Sequence, residues 1–302
     1  MVLPRIALTV GDPAGIGPEI AAKAAADPSV RALCEPVIFA PFDGAQGRPP
    51  QSDDIRMGEV SAAAGRAAYE TIVRAVEAAK RGEVDAIATA PINKLAFAQA
   101  GLPWKGHTDL LAELCGARRV AMMFHSPRLK VVLATVHVPL SAVPALITRE
   151  TIDAVLSLTA ESLPRFGIKA PRIAVAGLNP HAGEAGVLGP EDAAVLAPAV
   201  VAARARGIDA YGPLPADTVF VRASRGEFDC VVACYHDQGL IPVKLLSFGR
   251  AVNVTIGLPI IRTSVDHGTA FDIAGQGVAD AGSMIAAVTL AAQLAKSRES
   301  SG

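Results

Sequence analysis

The sequence predicts an α/β fold built on a mostly parallel β-sheet that helices cover on both faces. Two observations carry this. Short apolar runs rich in Val, Ile and Ala recur along the 302 residues, as RIALTV, PVIFA, DAIATA, KVVLATV, RIAVAGL, DCVVACY and VNVTIGL. Strands buried on both faces have this continuous apolar character, whereas strands with one wet face alternate. Between several of the runs lie Ala-rich stretches of helical period, notably Ala62 to Arg81 and Thr151 to Phe166. Alternation of strand and helix marks parallel α/β units.

In chain order, RIALTV runs into GDPAGIGPEI, where Gly15 and Gly17 permit a tight turn and close backbone approach before a helix through IAAKAAAD. This is not a GxGxxG fingerprint and no acidic residue is well placed about 20 positions on, so a Rossmann cofactor site is not expected. PVIFA is followed by Phe42 to Arg56, dense in Gly, Pro, Asp and Gln, which reads as a mobile loop. After DAIATA and APINK comes WKGHTDLLAEL, a Gly-punctuated loop entering a helix. Thr108 is expected to cap that helix, and the same geometry presents backbone N–H groups to an anion. His125 ends the run MMFH ahead of a Ser-Pro turn and is read as structural. The Gly-rich DHGTAFDIAGQGVADAG by itself says only that turns lie near a helix. No linker marks a domain boundary, as expected if the chain crosses between domains more than once, and the length fits two domains or one large unit.

The chain carries 28 Lys and Arg against 29 Asp and Glu with no basic run, so nucleic acid and anionic membranes are poor partners. Its longest apolar stretches fall short of the roughly 18–20 residues a membrane span needs. The opening residues lack a signal-peptide pattern, so a soluble, cytoplasmic protein is expected. Cys34, Cys115, Cys230 and Cys234 form no CxxC pair and are read as reduced core thiols.

His137, His181 and His236 each follow an apolar run, in KVVLATVH, RIAVAGLNPH and DCVVACYH. In a parallel sheet such positions converge at the carboxyl edge, where α/β enzymes hold ligands. A single one reads as a satisfied interior histidine; three in one topological position can meet. Three imidazoles with an open position suit zinc or a similar divalent ion, which can polarise a substrate hydroxyl and hold the developing carbonyl. Asp237 and Asp217 are candidates for orienting a ligand or moving a proton, and Asp217 reads equally as a helix cap. Lys244, Asn253 and Arg262 stand between apolar stretches in IPVKLLSFGRAVNVTIGLPIIRTS. Cations there want a partner, either a phosphate or carboxylate ligand or an acidic side chain.

The strings GDPAGIGPEI, APINK, GHTDLLAEL, HVPL, GLNPHAGE, GPLPADT, YHDQGL and GLPIIRTSVDHGTAFDIAG occur in this order. Over nearly the whole chain they resemble the 4-hydroxythreonine-4-phosphate dehydrogenase family of vitamin B6 biosynthesis. More distantly, the Gly-rich start and the HGTAFDIAGQGVAD loop look like isopropylmalate and isocitrate dehydrogenases, whose fold that family shares. The resemblance implies two α/β/α domains with mostly parallel sheets and an intervening cleft. One is a discontinuous nucleotide-side domain, 1–106 plus 245–302; the other, 107–244, binds metal and dimerises. It implies that His137, His181 and His236 hold one divalent ion per subunit, whether zinc, magnesium, manganese or cobalt, at a homodimer interface with ligands from both subunits. It implies substrate contacts from His107, Thr108, Lys244, Asn253 and Arg262. His267, Gly268, Thr269, Ala270, Asp272, Gly275 and Asp280 are the implied cofactor contacts, in a loop that takes the adenosine part of NAD or NADP in place of a Rossmann site. Lys94 of APINK joins Asp217 and Asp237 as a catalytic or ligand-orienting candidate.

The implied reaction is oxidation of 4-hydroxy-L-threonine 4-phosphate at the hydroxyl beside the amino-bearing carbon, then decarboxylation to 3-amino-2-oxopropyl phosphate. The segment from Phe42 to Arg56 departs from the family pattern, being shorter and more polar. Other substrates of relatives, D-threonate or D-erythronate 4-phosphate and carboxylated cis-dihydrodiols, stay open. Outside the class stand a metal-dependent hydrolase or lyase without NAD and a phosphate-binding protein without turnover; the HGTAFDIAG loop speaks against both.

Overall fold

The structure, a computed structural model, describes residues 2–41 and 55–299. The expected loop from Phe42 to Arg56 lies outside the described residues except for its last two. Ten strands form among the described residues: β1 (Arg5–Thr9), β2 (Glu35–Phe39), β3 (Ala86–Thr89), β4 (Ala121–His125), β5 (Lys130–Leu133), β6 (Ile173–Ala176), β7 (Ala210–Leu214), β8 (Cys230–Ala233), β9 (Val252–Ile256) and β10 (Ile261–Ser264). The helices are α1 (Gly17–Ala26), α2 (Pro28–Arg31), α3 (Ala62–Lys80), α4 (Lys94–Gln99), α5 (His107–Cys115), α6 (Val143–Leu146), α7 (Arg149–Ser162), α8 (Ala197–Ala205), α9 (Ala216–Ser224), α10 (His236–Ser247) and α11 (Gly282–Glu299). None of them is long and apolar enough to cross a membrane.

The chain forms two compact units, Met1–Arg118 with Leu258–Gly302, and Arg119–Gly257. It crosses between them at 118/119 and 257/258, against the 106/107 and 244/245 expected. The reason is packing. Helix α5 packs on α3 of the first unit, while α10 sets Leu240 and Val243 into the core of the second and β9 pairs with β4.

In the first unit the strands run β2-β1-β3-β10, all parallel. Ile6, Leu8, Ile87 and Ala88 are buried in this sheet; α3 packs on β1, β2 and β3, and α11 on β1, β3 and β10. The turn out of β1 needs its glycines. A Cβ on Gly17 would lie 1.9 Å from the Val10 carbonyl oxygen, and one on Gly15 would lie 2.8 Å from that of Thr269. The first contact presses the start of α1 onto β1; the second admits the loop at Thr269, whose carbonyl accepts from Ile16 N at 3.0 Å.

In the second unit the order is β9-β4-β5-β8-β6-β7. Strands β5, β8, β6 and β7 are parallel to one another, and β4 is antiparallel to both β5 and β9. The core joins Phe124, Val131, Leu133, Ala174, Ala176, Val231 and Ala233 to Val219 and Phe220 of α9 and Leu240 and Val243 of α10.

All seven apolar runs form strands, as expected, and the strand that breaks the parallel pattern of the second unit is β4. The link from β4 to β5 is a tight turn at Ser126 to Leu129, too short for a parallel crossover, and β9 pairs antiparallel to β4. Of the three strands outside those runs, β4 holds the run MMFH, and β7 and β10 were not expected. Strand β7 closes one end of its sheet, where Gly212 and Pro213 are tolerated. Strand β10 reads IRTS, and its polar groups are buried because they are bonded: Thr263 Oγ1 donates to Ala287 O at 2.9 Å and Ser264 Oγ to Thr89 O at 3.2 Å. The expected helix from Thr151 to Phe166 ends as α-helix at Ser162, and Leu163–Phe166 tightens into a 3-10 turn at Pro164, which has no N–H to give. All four cysteines are free thiols. Burial pushes Cys230 and Cys234 up to about 12, whereas Cys115, at the end of α5, is only half-buried and is not a core thiol.

Asp12, in the turn after β1, is fully buried. Its Oδ1 accepts from Ala14 N at 2.9 Å, and Oδ2 is buried without a hydrogen-bond partner. Burial outweighs the Ala14 bond and raises the carboxyl to about 6. Because the native value lies above the unfolded one, the protonated group's contribution is complete below pH of about 4 and is lost as pH rises through about 6. Asp12→Asn should therefore be more stable than the parent at pH 7.5 by on the order of 3 kcal/mol, with the gap closing toward pH 4. Denaturant unfolding at both pH values checks this; a gap independent of pH would show that Asp12 does not titrate in this way.

Candidate metal and anion site

In the second unit β5, β8 and β6 lie side by side and parallel, so the segments carrying His137, His236 and His181 leave one sheet edge as neighbours. The rings of His137 and His236 stand 5.5 Å apart between centroids, tilted by 40°. Two imidazoles on one ion, with metal–nitrogen bonds of about 2.0–2.1 Å, stand at about this separation, so the pair fits a divalent ion. His236 Nδ1 donates to Asp237 Oδ1 at 2.7 Å, which leaves the lone pair of Nε2 to serve an ion. His181 is not brought into the same group. Among the described residues no three His, Cys, Asp or Glu side chains gather to hold a metal. Of the three strand-ending histidines expected to meet, the structure places the rings of His137 and His236 side by side within one chain.

Two of the three histidines have left-handed backbones, His137 with φ of 52° and His181 with φ of 53°. His181 begins a run in which Ala182, Gly183, Glu184 and Ala185 are also left-handed. For the four non-glycine residues of this run the strain is about 1–2 kcal/mol each, and strain of this kind persists only where surrounding structure over-determines it.

Large apolar side chains stand exposed just past each histidine. Leu140 is 67% exposed, Val187 80%, and along α10 Ile241, Leu245 and Phe248 are 65%, 85% and 82% exposed at helical spacing. Lys244 lies on the same helix, and Asn253 on β9 has a buried Oδ1 without a hydrogen-bond partner.

In the first unit Arg262 on β10 is 2% exposed. Its Nη2 donates to Thr89 Oγ1 at 2.7 Å, and Thr89 Oγ1 is bonded in turn to Ser264 Oγ at 2.9 Å. Burial lowers the guanidinium to about 9, which leaves it charged at neutral pH. His107 starts α5. Burial, and then the charge of Arg262, hold its imidazole well below the usual range, so it is neutral, and its Nε2 is buried without a partner. The cap of α5 is Gly106, not Thr108, which sits inside the first turn; glycine serves because its φ of 172° is extended and no side-chain acceptor is used.

The implied cofactor loop also lies in the first unit. His267 and Gly268 are exposed, His267 Nδ1 donating to Gly268 O at 3.0 Å. Ala270 and Gly275 are left-handed. Thr269 is tied to Ile16, and Asp272 O accepts from Gln276 Nε2 at 2.8 Å. Asp280 Oδ1 accepts from Gly282 N at 2.8 Å at the start of α11. Lys94 is exposed at the start of α4 and Asp217 is exposed in the first turn of α9.

Sequence reasoning missed three groups that hold these parts. Thr89 accepts from Arg262. Glu19 and Lys23 of α1 grip the exit of the implied cofactor loop, Glu19 accepting from Gly277 N and Ala279 N and Lys23 donating to the carbonyls of the same two residues at 2.9 and 2.7 Å. Asp192 is buried beneath the His181 loop. Glu19 and Lys23 stand four apart on a helix, a readable pair, but their partner is backbone some 250 residues away and leaves no pattern.

Residues 21–291 match the family model described as pyridoxal phosphate biosynthetic protein PdxA. A 4-hydroxythreonine-4-phosphate dehydrogenase from Geobacter metallireducens is 46% identical, covering 99% of this chain and 98% of its own. A D-threonate 4-phosphate dehydrogenase from Cupriavidus necator is 44% identical over 98% of each chain. Among solved structures, a 4-hydroxythreonine-4-phosphate dehydrogenase from Klebsiella pneumoniae superposes with a TM-score of 0.86 at 42% identity, covering 97% of this chain and 98% of that one. With agreement in sequence and fold along nearly its whole length, the chain belongs to the PdxA family of pyridoxal phosphate biosynthetic proteins.

Proposed function

We propose that the chain is a divalent-metal- and NAD(P)-dependent dehydrogenase that oxidises and decarboxylates 4-hydroxy-L-threonine 4-phosphate to 3-amino-2-oxopropyl phosphate. The observation that carries this reading is the buried Arg262 beside the neutral His107 at the head of α5. A fixed buried cation next to a helix N-terminus suits a phosphate dianion, which gains from charge-assisted and backbone hydrogen bonds together. His107 Nε2, lacking a protein partner, can serve the same ligand. Thr108, Lys244 and Asn253 complete the substrate contacts in this reading. A second reading, oxidation of D-threonate 4-phosphate, is favoured by the relative of that name and uses the same anion pocket.

His137, His181 and His236 hold the ion, with Asp237 orienting His236 through Nδ1. A divalent ion there supplies Lewis acidity toward the substrate hydroxyl and the carbonyl that replaces it. NAD or NADP, lying along His267 to Asp280, supplies the hydride acceptor. Lys94 and Asp217 are the other proton-transfer candidates. The active form is a homodimer in which one histidine of each site comes from the partner. Support comes from the apolar residues past each histidine, since α10 exposes Ile241, Leu245 and Phe248 in one stripe beside a candidate ligand, and exposed apolar patches of this kind mark interfaces.

Arg262→Ala should lower kcat/KM for either phosphorylated acid by at least about tenfold, and the unphosphorylated acids should be poor substrates little altered by the change. Reduced nicotinamide formation with the four acids side by side reads this and ranks the two substrates. Equal turnover of phosphorylated and unphosphorylated forms would remove the phosphate reading.

Each of His137→Ala, His181→Ala and His236→Ala should lose metal and turnover. Mixed pairwise, two of the three combinations should regain up to half of the parent activity, because one site of the heterodimer is then intact. The third combination, lacking two ligands of the same subunit, should regain none. Recovery in no mixture of confirmed heterodimers would mean that each site is built from one chain.

A further inference from the structure

Asp192 is 1% exposed, a position a carboxylate keeps only when its oxygens are bonded. The bonds come from the GLNPH segment. Oδ1 accepts from Leu178 N at 2.9 Å, and Oδ2 accepts from both Asn179 N and Asn179 Nδ2 at 3.0 Å. Asn179 Nδ2 also donates to Glu191 Oε2 at 2.8 Å. The chain then folds back over the carboxylate at two glycines. A Cβ on Gly177 would lie 3.0 Å from Asp192 Oδ1 and 2.8 Å from Ala182 Cα, and one on Gly183 would lie 3.2 Å from Asp192 Cβ. Leu178 and Asn179 lead directly into the left-handed run that begins at His181. Such a run does not hold itself, since every non-glycine member prefers another conformation. Its entrance is fixed by Asp192 and its exit by Leu188 N donating to Gly183 O at 3.1 Å.

We propose that Asp192 is a positioning residue for metal binding: by anchoring Leu178 and Asn179 it fixes the left-handed turn and so the direction in which His181 presents its imidazole. The proposal rests on His181 being a ligand of the divalent ion. It gives Asp192 a task that burial alone does not, because the carboxylate acts on one backbone segment that ends in one ligand.

The test is Co2+ binding to the full-length protein, followed by calorimetry and by the visible absorption of the bound ion. Asp192→Asn keeps the shape but turns an NH2 donor toward the donors of Asn179. It should weaken Co2+ by about 10–100-fold and alter the band, while Asp192→Glu, which keeps an acceptor, should recover most of the affinity. In a His181→Ala background, titrated at high Co2+ to read the weak residual binding of the remaining ligands, Asp192→Asn should cost no further affinity, as expected of two residues acting as one unit. Parent-like affinity in folded Asp192→Asn, or an equal further loss in the His181→Ala background, overturns the proposal. If Asp192→Asn does not fold, Asn179→Ala reads the same anchor: weaker Co2+ binding supports the role and parent-like binding removes it. A parent protein that binds no Co2+ overturns the metal reading itself, a result distinct from both.

Discussion

Parallel pairing of β5, β8 and β6 is the constraint on which the candidate metal site depends. Parallel strands all end at the same edge, so segments far apart in sequence leave it as neighbours and their first polar residues meet. His137 and His236 come from the adjacent strands β5 and β8, and their rings stand side by side. The strands need only be apolar and in register. The chemistry sits a few residues past their ends, where the backbone no longer has a ladder to satisfy and is free to adopt the left-handed turns seen at His137 and His181.

The first unit applies the same logic to charge. Its parallel sheet ends in hydroxyl residues, Thr89 on β3 and Ser264 on β10, and the Arg262 guanidinium reaches that edge from within the sheet. A cation buried to 2% exposure carries a desolvation cost, visible in the lowering of its guanidinium to about 9. Thr89 supplies one acceptor within the protein, and in the proposed function a phosphorylated substrate adds anionic charge beside it. That is why a chain of near-neutral net charge can still present strong local positive potential.

Much of this was legible in the sequence where the rule linking residues to structure is local. Continuous apolar runs located seven of ten strands, and the shared position of three histidines pointed to the edge where the His137 and His236 rings stand together. Strand β10 was hidden because its buried residues are Arg, Thr and Ser, which look like loop until their bonds to Thr89 and Ala287 are known. The reversed course of β4, which makes its pairings with β5 and β9 antiparallel, was hidden because an apolar run carries no direction. Thr108 was read as a cap because threonine commonly is one, and the extended backbone of Gly106 that took the role leaves no mark beyond the letter G.

Two of the three groups that escaped sequence reading share one property: they act chiefly on backbone. Glu19 and Lys23 bond the peptide groups of Gly277 and Ala279, and Asp192 bonds those of Leu178 and Asn179. A peptide group carries no identity, so such a contact imposes no residue type on the far partner and leaves no motif. The near partner, by contrast, is tightly constrained. A carboxylate that must accept several bonds inside the protein can be replaced neither by an amide, which brings a donor where an acceptor is needed, nor by an apolar group, which leaves buried N–H groups unpaired at about 1–3 kcal/mol each. Ligand residues announce themselves by type, while the residues that aim them show only in three dimensions, at points where a strained loop needs a reason to stay where it is.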